Sequence, residues 1–221
     1  MPTHQRLGLC FLAVAVYIHA LASLAQTSAR SAVDSPLLPS VNTEYFPDGV
    51  FDPADRSRSD LIAAGLTKYL RAMSEPPLRE AGADRRSASY RLIRRNYPSG
   101  KGVVLRLVIG ESGEARLSVV VTTGEGTVVL KKTESASAQA VSGFLTILER
   151  SNFWSLPTSE VDEPPLIRDG AIWAIEGIRD GSYHIVYRRN PKPSRYTEVG
   201  RYLAKDLARL DDSTFFAEPA N

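Results

Sequence analysis

The stretch Ala171-Ile172-Trp173-Ala174-Ile175-Glu176-Gly177-Ile178, followed after Arg179-Asp180-Gly181 by Ser182-Tyr183-His184-Ile185-Val186-Tyr187-Arg188-Arg189, decides the fold. Both arms are rich in β-branched and aromatic residues, and Asp180-Gly181 supplies the positive φ angles of a two-residue type I′ turn. Such a turn pairs Arg179 with Ser182. Gly177 then faces His184, Ile175 faces Val186 and Trp173 faces Arg188, all on one side of the hairpin. The other side carries Ile172, Ala174, Glu176, Ile178, Tyr183, Ile185 and Tyr187. This second side is the more continuously apolar, so it is expected to lie under helices and to leave Trp173, His184 and Arg188 on the opposite side.

Upstream of the hairpin the periodicity is also two. Tyr90–Asn96 reads as a strand stopped by Pro98-Ser99-Gly100. Val103, Leu105, Leu107 and Ile109 alternate after it, as do Ala115, Leu117, Val119 and Val121 beyond the turn at Glu111–Glu114. Gly124-Glu125-Gly126 turns the chain into Thr127–Thr133. The expectation is an antiparallel meander. A helix from about Ser137, its cap, to Arg150 places Val141, Phe144, Leu145 and Leu148 on one stripe. A last helix over about Arg195–Leu210 does the same with Val199, Leu203, Leu207 and Leu210. The fold class read from this order is α+β: an antiparallel sheet, meander plus hairpin, with two helices packed on one face.

The domain so defined spans 89–210, with a tail over 211–221. Before it, 59–88 holds a helix and a Pro/Arg-rich linker. That helix runs from about Asp60 to Met73, capped by Ser59 or Asp60, with Ile62, Leu66, Tyr69, Leu70 and Met73 on one face. Residues 26–58 have little periodicity and read as an irregular lead-in, although Tyr45, Phe46, Val50 and Phe51 have the character to dock on the domain.

Residues 1–25 read as a secretory signal peptide: Arg6 in the n-region, Leu9–Val16 as the apolar run, and Ser23-Leu24-Ala25 placing cleavage before Gln26. Ala20-Leu21-Ala22 offers an alternative site. Left uncleaved, Leu7–Ala25 would act as an inner-membrane anchor, and a membrane partner is expected only in that case. Cys10 lies inside the apolar run, which argues against a lipid anchor. The whole chain has one Cys, three His and a net charge of +2. Removing 1–25 takes away Cys10, His4 and His19, leaves His184 as the sole histidine, and lowers the charge to +1.

That balance argues against a nucleic-acid partner, and the residue counts remove thiol chemistry, disulfides and multi-histidine metal sites from the mature chain. No Gly-x-Ser-x-Gly elbow is present, and Gly124-Glu125-Gly126 lacks a following helix to receive a phosphate. Glu160, Asp162, Glu163 and Asp169 lack calcium-loop spacing. No metal and no cofactor are expected.

Two candidate sites remain. Trp173, His184 and Arg188 would form a binding surface from an aromatic, a titratable ring and a cation, with Arg188 stacked on Trp173; the alternative is a satisfied cross-strand cluster. Glu176, a carboxylate on an apolar strand face, is a weak catalytic candidate together with Asp169 and His184; the alternative is a place near the sheet edge or a pair with an arginine, Arg179 or Arg189.

Three strings stand out: Phe153-Trp154-Ser155-Leu156-Pro157, Asp169–Gly177 and Gly181–Arg188. Written as F-W-x-L-P, D-G-x-x-W-x-x-E-G and G-x-Y-H-x-x-x-R, they resemble a signature of uncharacterised exported bacterial proteins. The resemblance covers roughly Tyr90–Leu210. It implies export and a bacterial source, and brings no activity and no catalytic residue with it. The functional expectation is a periplasmic, non-catalytic binding or interaction module for an unidentified envelope component or protein. The alternatives are an envelope hydrolase using Glu176 or Asp169 with His184, and a membrane-anchored structural domain.

Overall fold

A computed structural model describes residues 45–81, 87–124, 126–160 and 169–212, which fall in one compact unit. The expected signal peptide over 1–25, the lead-in up to residue 44, Arg85-Arg86, most of the acidic loop after Glu160 and most of the tail lie outside the described residues.

Helix α1 spans Arg56–Ala72 and the single turn α2 spans Leu78–Ala81. Strands β1 (Ala88–Tyr97), β2 (Gly102–Ile109), β3 (Ala115–Thr122) and β4 (Val128–Ala136) form the meander. Helix α3 (Ala138–Arg150) leads back across the sheet to β5 (Gly170–Arg179) and β6 (Ser182–Arg189). Helix α4 (Arg195–Tyr202) runs on into a π-helical stretch, Leu203–Leu207. All neighbours pair antiparallel in the order β4-β3-β2-β1-β5-β6. The fold is therefore α+β.

The hairpin register agrees with the expectation: Arg179 pairs with Ser182, Gly177 with His184, Ile175 with Val186 and Trp173 with Arg188. Asp180 at φ 53° and Gly181 at φ 75° make the turn. Ser137 caps α3 by accepting from Ala140 N, and Ser194 with Thr197 forms a capping box on α4.

Which face the helices cover is the main correction. Helices α3 and α4 lie on the side that carries Trp173, Ile175 and Val186, together with Tyr90, Leu92, Leu105 and Val119. The Glu176 side is covered too, by α1 and by Tyr45, Phe46 and Phe51 of the lead-in. The central strands are thus buried on both faces, and β5 is buried along almost its whole length. Alternation of apolar and polar residues marks a face only where one side meets water. The α1 cap is also one turn earlier than expected. Asp55 accepts from Arg58 N, while Ser59 Oγ accepts from Phe51 N at 3.2 Å and pins the lead-in to the helix.

Two glycines report on packing in opposite ways. A Cβ on Gly200 of α4 would lie 2.6 Å from the Trp173 ring, whereas one on Gly65 of α1 would meet nothing within 4 Å. We expect Gly200→Ala to destabilise the fold by about 1–3 kcal/mol through overpacking. Gly65→Ala should stabilise it by about 0.5–1 kcal/mol by restricting the unfolded chain and favouring helix. Urea unfolding of both variants reads the two signs.

Candidate functional site

Each hairpin residue singled out from sequence has a definite place. Trp173 is 5% exposed and lies under Gly200 of α4, with the Arg94 guanidinium 5.9 Å from its ring centre. Burial holds Arg94 down, to about 10. The expected stack of Arg188 on Trp173 is replaced by one on Tyr196, 5.6 Å from the ring centroid. The Tyr196 hydroxyl in turn donates toward the carbonyls of Trp173 and Val186, fastening α4 to β5 and β6.

Arg188 is buried and closes a loop. Its Nη1 donates to the Thr158 and Tyr187 carbonyls, its Nη2 to the Pro157 carbonyl, and its Nε lies 3.0 Å from Glu160 Oε1. Thr158 O also accepts from Tyr187 N at 2.7 Å. His184 is half-buried, edge-on to Phe153 at 5.0 Å and 6.1 Å from Trp154. Gly177 lets these rings approach, since a Cβ there would sit 3.0 Å from Phe153 and 3.1 Å from Trp154. Trp173, His184 and Arg188 thus belong to the interior that locks Phe153–Pro157 onto the sheet. The exposed surface expected of them is not formed, because α3, α4 and this loop cover their side.

Glu176 is fully buried on the opposite face from His184. Its Oε1 accepts from Arg91 Nε at 2.8 Å, and its Oε2 accepts from Arg91 Nη2 and Tyr183 Oη, each at 3.1 Å. Arg91 Nη1 donates to the Pro76 carbonyl at 2.7 Å, and Arg106 Nε lies 2.5 Å from Glu75 Oε1. Burial pushes the Glu176 carboxyl up, against the pull of Arg91, and pushes the Tyr183 hydroxyl well up. With its oxygens engaged and the sheet between it and His184, Glu176 cannot share a substrate with that histidine. Asp169 is exposed at the start of β5, where its carbonyl accepts from Asn190 Nδ2. The structure brings these three together nowhere.

The arrangement with room for a ligand lies elsewhere. A cavity of about 850 Å³ opens between the first half of α1 and the end of the sheet. Leu61, Ile62, Leu66 and Ile172 supply apolar walls, and Arg58, Tyr97 and Arg189 supply polar groups. Arg189 Nε donates to Tyr187 Oη at 3.2 Å, and Arg58 lies 3.6 Å from Asp52. Gly65 lines the same space, so the missing side chain there is part of what keeps it open. A lone glycine inside a helical pattern was the available sequence signal for this site. Among the described residues no group of three or more His, Cys, Asp and Glu is placed to hold a metal ion.

His184 gives a pH test of the interior. Burial pushes its imidazole down, against the pull of the Leu156 and Phe153 backbone. A folded-state pKa below the unfolded one, about 6.5, means that the stability is present above that pH and is lost as pH falls through the folded value. Urea midpoints should therefore drop between neutral and mildly acidic pH, and His184→Phe should remove most of that slope.

No family model matches the chain, and no curated protein matches it.

Proposed function

We propose that this chain is an exported bacterial envelope protein that acts as a non-catalytic binding module, with its ligand seat in the cavity under α1. The observation that carries the reading is the cavity itself. Its volume falls within the range of small-molecule sites, roughly 300–1,000 Å³, and it combines apolar walls with a few placed polar groups. The guanidinium groups of Arg189 and of Arg58, the latter also 3.6 Å from Asp52, favour a negatively charged head, and the aliphatic walls favour an apolar body. The ligand class is therefore an anionic amphiphile of fatty-acid type. Export is supported by Arg6, the uncharged run from Leu7 and the small residues at Ser23-Leu24-Ala25.

Native mass spectrometry of the chain recovered from the extracytoplasmic fraction of a bacterial host tests both parts. The expected species begins at Gln26 and binds palmitate. Gly65→Phe should fill the cavity and weaken binding by at least about tenfold, a loss of roughly 1.4 kcal/mol, with the fold retained. A species beginning at Met1 would replace the exported form by the anchored one. Palmitate binding that Gly65→Phe leaves unchanged would remove the cavity as the seat.

A further inference from the structure

The two edges of the sheet are finished differently. On β6 the outward N–H of Tyr187 is taken by Thr158 O and its outward carbonyl by Arg188. On β4 nothing comparable occurs. The Gly110 N to Glu114 O bond marks the hydrogen-bonded pairs of β2 with β3. Counting on by twos, Leu117–Glu134 and Val119–Lys132 are the hydrogen-bonded pairs of β3 with β4. Lys131, Thr133 and Ser135 therefore aim their N–H and C=O groups away from the sheet, and no described residue receives them.

This strand is exposed over most of its length. It also carries three of the four exposed large hydrophobics among the described residues: Val128, Val129 and Leu130, against Leu61 elsewhere. A long open edge with exposed aliphatics is a template for strand addition.

We infer that β4 pairs antiparallel with β4 of a second copy of this chain, about a twofold axis at Thr133. A twofold perpendicular to the sheet keeps each residue on its own face, so only registers centred on a residue join the two edges. Centring on Lys131 or Lys132 sets two ammonium groups opposite each other, and centring on Glu134 opposes two carboxylates. Centring on Leu130 runs into the irregularity at Val128–Leu130, where β4 bulges against Thr122. Thr133 at the centre pairs Lys131 with the partner's Ser135, Lys132 with the partner's Glu134 and Leu130 with the partner's Ala136. The three outward residues of each strand then form three hydrogen-bonded pairs, and two bonds per pair gives six bonds. Two opposite-charge pairs and two aliphatic pairs flank them on the other face. Lys132 and Glu134 already lie on that face, 3.1 Å apart within one chain and each about a third exposed, with Lys132 Nζ also donating to the Ala208 carbonyl at 3.4 Å.

Sedimentation velocity of the full chain over a concentration series tests this directly. The wild type should dimerise in the micromolar range. Lys132→Glu and Glu134→Lys should each weaken self-association at least about tenfold, because each opposes like charges across the axis. Mixing the two single variants should restore a heterodimer, as should the double swap Lys132→Glu/Glu134→Lys on its own. A variant that had merely lost its fold would not be rescued by mixing. A wild type that stays monomeric at the highest concentration overturns the proposal. Single variants that dimerise like wild type, or a mixture that stays monomeric, overturn it as well.

Discussion

Arg91 has no exposure to solvent, and a guanidinium in that position must be neutralised and hydrogen-bonded where it lies. Glu176 on the neighbouring strand does the first, through a two-pronged pair. The Pro76 carbonyl does part of the second. Pro76 belongs to the segment that leaves α1, so the same guanidinium that joins β1 to β5 also joins the sheet to that segment. Arg106 and Glu75 repeat the arrangement one strand over, and Tyr45 Oη donates to the Glu75 carbonyl at 2.8 Å. The lead-in, the end of α1 and the middle of the sheet thus meet at one buried polar layer.

What depends on this layer is the second face of the sheet. Helices α3 and α4 pack on their side through an ordinary apolar stripe and need no such device. On the other side α1 packs through Leu66, Tyr69, Leu70 and Met73, all toward its C-terminal half. Its N-terminal half and cap line the cavity with Asp55, Arg58, Leu61 and Ile62, across from Ile172 and Arg189. The space left between that half and the end of the sheet is the physical basis for reading it as a ligand seat.

Much of the architecture was legible before any coordinates. The Asp180-Gly181 turn fixed the hairpin register, and Ser137 marked the start of α3. Tyr45, Phe46 and Phe51 announced that part of the lead-in docks. The face assignment was not legible, because both faces of β5 are apolar and the contrast between them is too small to rank. Glu176 looked anomalous on its face until Arg91 was placed opposite it, and no local pattern in β1 announces that pairing at long sequence separation. The same applies to Arg188, whose partners are backbone carbonyls of Pro157 and Thr158. Apart from Glu176, which pairs with Arg91 on the other face of the sheet, the strings F-W-x-L-P, W-x-x-E-G and Y-H-x-x-x-R form one packing unit: the first lies against Gly177 and His184, and the last arginine seals it.

The most direct measurement of this account is a double-mutant cycle on Arg91 and Glu176, read by urea unfolding of Arg91→Met, Glu176→Met and the double variant. If the pair organises the second face, each single change leaves an uncompensated buried group and costs about 3–5 kcal/mol, while the double change costs less than the two together. A coupling of about 1–3 kcal/mol or more is the predicted result. Strictly additive losses would mean that the two residues act independently, and would contradict the account.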